Sequence, residues 1–188
     1  MFDYFVSLGS ACGTAASMSK YGFRSFSGPL DWLVTNDLSW VLHYIETDFV
    51  DFLQSENLVQ YGIKQKNFID QESGFIFLHD HENYKTEFNR LKQKYERRIK
   101  RFIQASHQKT CFLRCISSPE ELDYIKTHAE YIQTVISRHN IENIIVFLAE
   151  KEFIESADLP FKTYSVPERV LKFNDFNIRR VLRSLFDN

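Results

Sequence analysis

Glycine and proline are scarce in this chain, six and four among 188 residues, which excludes a collagenous or low-complexity protein. Cysteine is scarcer still. Cys12, Cys111 and Cys115 are an odd number without the paired spacing of a zinc site or a disulfide framework, so no metal and no cofactor is expected. Surplus charge is also missing. A formal net charge of −2 gives no global pull toward nucleic acid or an anionic membrane, and neither partner is expected. No run approaches the ~20 apolar residues of a membrane span. Met1–Leu8 is too short for the apolar core of a secretory signal, so a reducing, cytoplasmic setting is the expectation.

What is present is globular: 44% hydrophobic residues, 26% charged residues and 18 Phe. The length fits a single domain over 1–188. Phe2–Leu8 reads as a buried strand ended by Gly9 and Ser10, and Ala11–Lys20 as a helix stopped by Gly22. Asn36 or Asp37 caps a second helix running to about Leu53, with Leu38, Val41, Ile45, Phe49 and Phe52 on one side. Gly62–Ile69 and Gly74–Leu78 flank the polar turn Gln71–Ser73 and read as a hairpin. A long helix follows over about Asn83–Ala105. Thr110–Ile116 is a strong strand. Ser118, Pro119 and Glu121 are an N-cap, an N1 proline and a capping-box glutamate for a helix to about His139. Asn143–Leu148 and Phe161–Val166 are further strands, and Asn177–Phe186 is a last amphipathic helix.

Strands separated by long helices argue for parallel pairing. The unalternating run Ile144–Leu148 argues for strands covered on both faces. The expected fold is therefore α/β: a mostly parallel sheet with helices on both faces, a Rossmann-like three-layer arrangement, and a small hairpin insertion near 62–78.

Ligands of such sheets bind beyond the carboxyl ends of the strands. There the chain reads Leu8-Gly9-Ser10-Ala11-Cys12-Gly13-Thr14. Small residues let a substrate approach the backbone, and free amides at a helix start accept an anion or oxyanion. The same amides favour a thiolate, which suits Cys12 as a nucleophile. The plainer reading is that Cys12 packs the helix on the sheet and that Ser10 caps it. His79 and His81 sit at the tip of a strand, a rigid mount for a general base. Asp80, pointing away from its neighbour His79, orients His81 or caps the next helix.

Arg24 to Trp32 mixes charge, a Gly-Pro turn and an indole, as binding loops do. Arg24 is a candidate for gripping a carboxylate or phosphate, and Asp31 for the acidic member of a triad. The alternative is a surface Arg24–Asp31 pair with Trp32 as a plug. Arg114, inside an apolar strand, requires Asp31, Asp80 or a bound anion as partner. The basic run Lys92–Arg101 reads as a solvated helix face.

Taken in order, Ser7–Cys12, Gly22–Trp32, Asp48–Leu53, Phe77–Asp80, Lys94–Phe102 and Phe112–Arg114 resemble a family of bacterial proteins labelled papain-like cysteine peptidases. The family's usual Pro-Phe-Asp-Trp is replaced here by Pro29-Leu30-Asp31-Trp32. The resemblance implies Cys12 as nucleophile, His79 as base, and Asp31 or Asp80 as orienting acid. It also implies a cysteine-bearing helix on an antiparallel sheet, at odds with the parallel strands that the periodicity predicts.

Three functions remain. The first is a cysteine-dependent hydrolase or acyltransferase acting on a small-molecule, peptide or glycan substrate. The second is a transferase or binding domain for a phosphorylated or nucleotide-linked sugar in surface polysaccharide biosynthesis, using Ser10, Arg24 and Arg114. The third is a non-catalytic interaction protein.

Overall fold

A computed structural model describes residues 1–62, 67–80, 86–151, 158–166 and 181. Its apolar runs become a parallel four-stranded sheet: β1 (Tyr4–Ser7), β6 (Thr110–Cys115), β7 (Ile144–Ala149) and β8 (Lys162–Ser165), adjacent in that order. The register sets Val6 beside Phe112 and Phe112 beside Ile145. Side chains alternate between two cores, as the pleat requires. Phe5, Cys111, Leu113 and Val146 join Met18 of helix α1 (Gly13–Lys20) on one side. Val6, Phe112, Ile145 and Phe147 join the larger core on the other. Burial on both faces accounts for the lack of alternation in these strands.

The region between β1 and β6 holds more than a hairpin. Strands β2 (Leu33–Val34), β3 (Leu58–Tyr61), β4 (Asn67–Asp70) and β5 (Ile76–Phe77) form a second, antiparallel sheet in the order β2-β5-β4-β3. The β4–β5 pairing across Gln71–Ser73 is the expected hairpin. Part of its first expected strand, 63–66, lies outside the described residues. Strands β2 and β3 carry too few residues to show a period. Phe68 and Phe77 stack across the sheet with centroids 4.4 Å apart, a contact worth about 0.5–1.5 kcal/mol beyond burial. The molecule is thus mixed α/β with one parallel and one antiparallel sheet, and the Rossmann-like three-layer description does not carry over.

Helix α1 begins at Gly13, two residues later than expected, and ends in a Schellman turn. The Phe23 amide donates to the Met18 carbonyl and the Gly22 amide to that of Ser19, with Gly22 at φ +77°. Helix α2 spans Leu38–Glu46, capped by Asp37, whose Oδ1 accepts from the Ser39 amide at 2.8 Å. It stops well short of Leu53. Asp48, Phe49, Asp51 and Leu53 all take positive φ, and the Phe49 amide turns back onto the Tyr44 carbonyl. Phe49 and Leu53 are buried, so their spacing imitates a helix that the backbone has left.

Helix α3 (Phe88–Ser106) turns Leu91, Tyr95, Arg98 and Phe102 inward; residues 83–85 of the expected helix lie outside the described residues. The helix expected over 119–139 is two, α4 (Pro119–Thr127) and α5 (Ala129–Ser137), broken at His128. The His128 ring stacks on Tyr124 and its Nδ1 lies 3.1 Å from the Tyr124 carbonyl oxygen, which also accepts the last α4 bond from the His128 amide at 3.0 Å. The expected helix at 177–186 lies outside the described residues apart from Val181, which packs beneath the parallel sheet.

Candidate functional site

Beyond β1 the chain bends at Gly9, whose φ is +83°. A Cβ there would meet Thr35 Oγ1 at 2.2 Å. Glycine is therefore required by Thr35, and the close approach expected of a substrate is made by the protein itself. The Ser10 carbonyl accepts from the Thr35 amide at 2.9 Å. Ser10 is buried, and its hydroxyl does not cap α1. Cys12 occupies the N-cap position with no side-chain cap bond. The first intrahelical bond runs from the Ala16 amide to the Cys12 carbonyl, so the amides of Gly13 to Ala15 stand ahead of the helical ladder.

The thiol does not behave as its position at a helix start suggests. Cys12 is 8% exposed. Burial pushes its pKa up, and its own backbone amide only partly counters this. The expectation of a lowered pKa is thereby corrected, because desolvation of the anion outweighs the amides. Cys111 and Cys115 are pushed up further by burial, Cys115 to about 11.

Arg114 is fully buried and ion-paired, and its partner is none of the three anticipated. Its Nε donates to Glu121 Oε1 at 2.7 Å, Nη1 to the Leu8 carbonyl at 2.8 Å and to Thr35 Oγ1 at 2.6 Å, and Nη2 to the Thr35 carbonyl at 2.6 Å. The second Glu121 oxygen accepts from the Ser117 amide and hydroxyl. The expected capping-box glutamate thus reaches one residue further back than usual and serves mainly to neutralise Arg114. Ser118 does cap α4, accepting from the Glu121 amide at 3.2 Å.

Thr35 is the joint between the two halves. Just before it, β2 pairs with β5, Leu33 opposite Phe77. This brings the Arg24–Trp32 loop against the strand tip. Asp31 Oδ2 accepts from Arg24 Nε and from the Gly28 amide, each at 2.8 Å, and Arg24 also holds Ser27. Burial raises the Asp31 carboxyl above the usual range, and the Arg24 guanidinium, the Gly28 amide and the Arg98 charge offset this only in part. Arg24 lies 5.0 Å over the Trp32 ring, and the Trp32 and His79 rings meet at a steep angle with centroids 5.6 Å apart. His79 is exposed, while Asp80 beside it is buried, as alternation requires. Asp80 accepts from the Tyr95 hydroxyl and pairs with Lys94.

The structure therefore brings Arg24, Asp31, Trp32 and His79 together and ties Gly9 and Ser10 to Arg114 through Thr35. Neither Asp31 nor Asp80 bonds a histidine among the described residues, because each already has its own cation. Cys12 Sγ likewise makes no hydrogen bond among them. His81 lies outside the described residues. The basic face of α3 is only partly solvated: Lys94 and Arg98 turn inward while Lys92, Arg97, Lys100 and Arg101 are exposed. The sequence reading missed Thr35, Glu121 as a partner, and Tyr95. The spacing of Lys94, Tyr95 and Arg98 along one helix face was the available signal for the last.

A cleft of about 380 Å³ lies at the carboxyl edge of β6, between the N-termini of α2 and α4, lined by Asn36, Asp37, Ser118, Glu120 and Tyr124 among others. Its carboxylates disfavour an anion. Among the described residues no three His, Cys, Asp or Glu side chains gather as metal ligands do, and no helix is long and apolar enough to cross a membrane.

A cysteine at a helix mouth beside a parallel sheet, with a histidine at the tip of an antiparallel sheet, defines a mixed α/β protein. The chain belongs to the family described as "Putative papain-like cysteine peptidase (DUF1796)", whose model matches residues 3–152. It is also similar to Uncharacterized protein R408 of Acanthamoeba polyphaga mimivirus, 26% identical over 210 positions that cover 92% of this chain and 90% of that protein. That relative is viral, so the bacterial setting that the resemblance implied is not supported. No solved structure matches the chain.

Proposed function

We propose that this protein is a cysteine-dependent hydrolase or acyltransferase in which Cys12 attacks a carbonyl and His79 serves as base. The observation that carries this reading is the joint at Thr35. One strand, β2, ties the loop bearing Cys12 to the strand that presents His79. Membership of the peptidase family supports it.

In this reading the resting sulfur is a neutral thiol, since burial disfavours its anion. The proton passes to the imidazole as the sulfur–carbon bond forms, and returns to the leaving group as the acyl bond breaks. The leading amides of α1 receive the oxyanion. Asp31 is a positioning residue: it fixes Arg24, which lies on Trp32, which abuts His79. Asp80 braces the strand tip through Tyr95 and Lys94. Helix α1, with Cys12 at its start, packs on the parallel sheet and not on an antiparallel one as the family resemblance implied; the antiparallel sheet leads to His79 instead.

The sugar-phosphate reading has less support. Arg24 and Arg114, which it needs for phosphate, are occupied by Asp31, Glu121 and backbone carbonyls. The interaction-protein reading rests on the exposed part of the α3 face or on the partly exposed Trp32 loop.

Iodoacetamide labelling with mass mapping tests the nucleophile. Cys12 is expected to react before Cys111 and Cys115, with a pH midpoint above that of a free thiol, and Cys12→Ala is expected to lower turnover of a thioester or peptide panel on the order of a thousand-fold. Labelling of all three cysteines only on denaturation, together with undiminished turnover by Cys12→Ala, would remove the proposal.

A further inference from the structure

Among the described residues, Arg98 is the one side chain with a buried nitrogen or oxygen that has no hydrogen-bond partner. It is 9% exposed, and its Nη1 is shut from solvent with no hydrogen-bond partner among the described residues. Its guanidinium carbon lies 4.9 Å over the Tyr95 ring. The acids close by are already engaged: Asp80 with Tyr95 and Lys94, Asp31 with Arg24 and the Gly28 amide. An arginine cannot shed its proton to escape an apolar setting. A buried N–H donor without an acceptor is destabilising, and the group that removes the penalty is one that supplies oxygen lone pairs with negative charge.

We propose that Arg98 anchors an anionic oxygen group, a carboxylate or a phosphate, of a small molecule bound beside Tyr95 and Asp31. The planar guanidinium offers paired N–H donors suited to either group. The buried Tyr95 ring lies against the guanidinium, so the side chain has little freedom left to lose when a ligand binds. The anchor does not depend on thiol chemistry, and binding occurs without turnover.

Thermal shift and calorimetric titration of the full chain test this, using inorganic phosphate in one arm and acetate in the other, with chloride at matched ionic strength as control. Saturable binding of phosphate or acetate is expected, and the arm that responds identifies the group. Arg98→Met is expected to weaken it at least about ten-fold, while Arg97→Met, at an exposed neighbouring position, and Cys12→Ala leave it unchanged. Without ligand, Arg98→Met should melt at or above the parent temperature, because it removes an uncompensated donor. Arg98→Lys keeps the charge and loses the fork, so it should fold and bind weakly. The proposal is overturned if neither anion binds the parent beyond chloride, if Arg98→Met and Arg98→Lys bind undiminished, or if Arg98→Met melts well below the parent and thereby marks a structural arginine. Loss of turnover in Cys12→Ala with anion binding intact separates this result from the thiol reading.

Discussion

Arg114 and Arg98 are both arginines taken out of water, and their surroundings differ in kind. Around Arg114, Glu121, Leu8 and Thr35 supply four acceptor contacts, and the residue fastens β6 to the loop after β1. Around Arg98, which lies against the Tyr95 ring, one nitrogen has no hydrogen-bond partner among the described residues, and the nearby carboxylates belong to other cations. Burial of charge therefore reads in two ways. A satisfied guanidinium is a rivet of the fold, and an unsatisfied one waits for something from outside.

Substitution at the two positions sharpens that contrast. Arg114→Met is expected to destabilise by about 3–5 kcal/mol in urea unfolding, since it strands the Glu121 carboxylate. Adding Glu121→Met should recover much of that loss, and failure to recover would mean that packing rather than charge holds the site. Arg98→Met, by contrast, should cost nothing in the ligand-free chain.

Gly9→Ala probes the same rivet from the backbone side. Positive φ and the 2.2 Å approach to Thr35 Oγ1 predict a loss of about 3 kcal/mol, measured by the same method. A change below about 1 kcal/mol, the range of an ordinary substitution, would show that Thr35 yields easily.

The smallest effect expected is at Asp48, which binds Arg138 and His139 at the protein surface. Burial alone would raise its carboxyl, but the bonds from His139 and Arg138 prevail and hold it below the usual range. A lowered acid contributes stability that is complete above its unfolded pKa and is lost as pH falls through the folded value. The parent should therefore lose stability more steeply than Asp48→Asn between about pH 4 and pH 2. Parallel pH profiles would dismiss the contribution.

The parallel strands were legible because burial on both faces leaves unbroken apolar runs such as Ile144–Leu148. The Ser118-Pro119 start and the Gly22 stop were legible because capping is local chemistry. Strand β2 was not, since two residues have no period, nor was the end of α2, where Phe49 and Phe52 keep helical spacing after the helix has ceased. The site divides along the same line. Gly9–Cys12, Arg24–Trp32 and His79 stood out singly by composition and position. Their actual partners did not, because Thr35 meets Arg114 across 79 residues and Leu8 meets it across 106. Only the fold reveals that Asp31 and Asp80 are spent on cations and not on a histidine.

The turn after α2 also bears on the order in which the chain can be completed. Left-handed backbone at non-glycine residues holds only where side chains pin it, and the pins for Asp48 come from Arg138 and His139, about 90 positions later. On the ribosome, α2 has its caps long before its end has its shape. The final geometry there must await the emergence of α5, which makes this corner one of the last parts of a nascent chain to set.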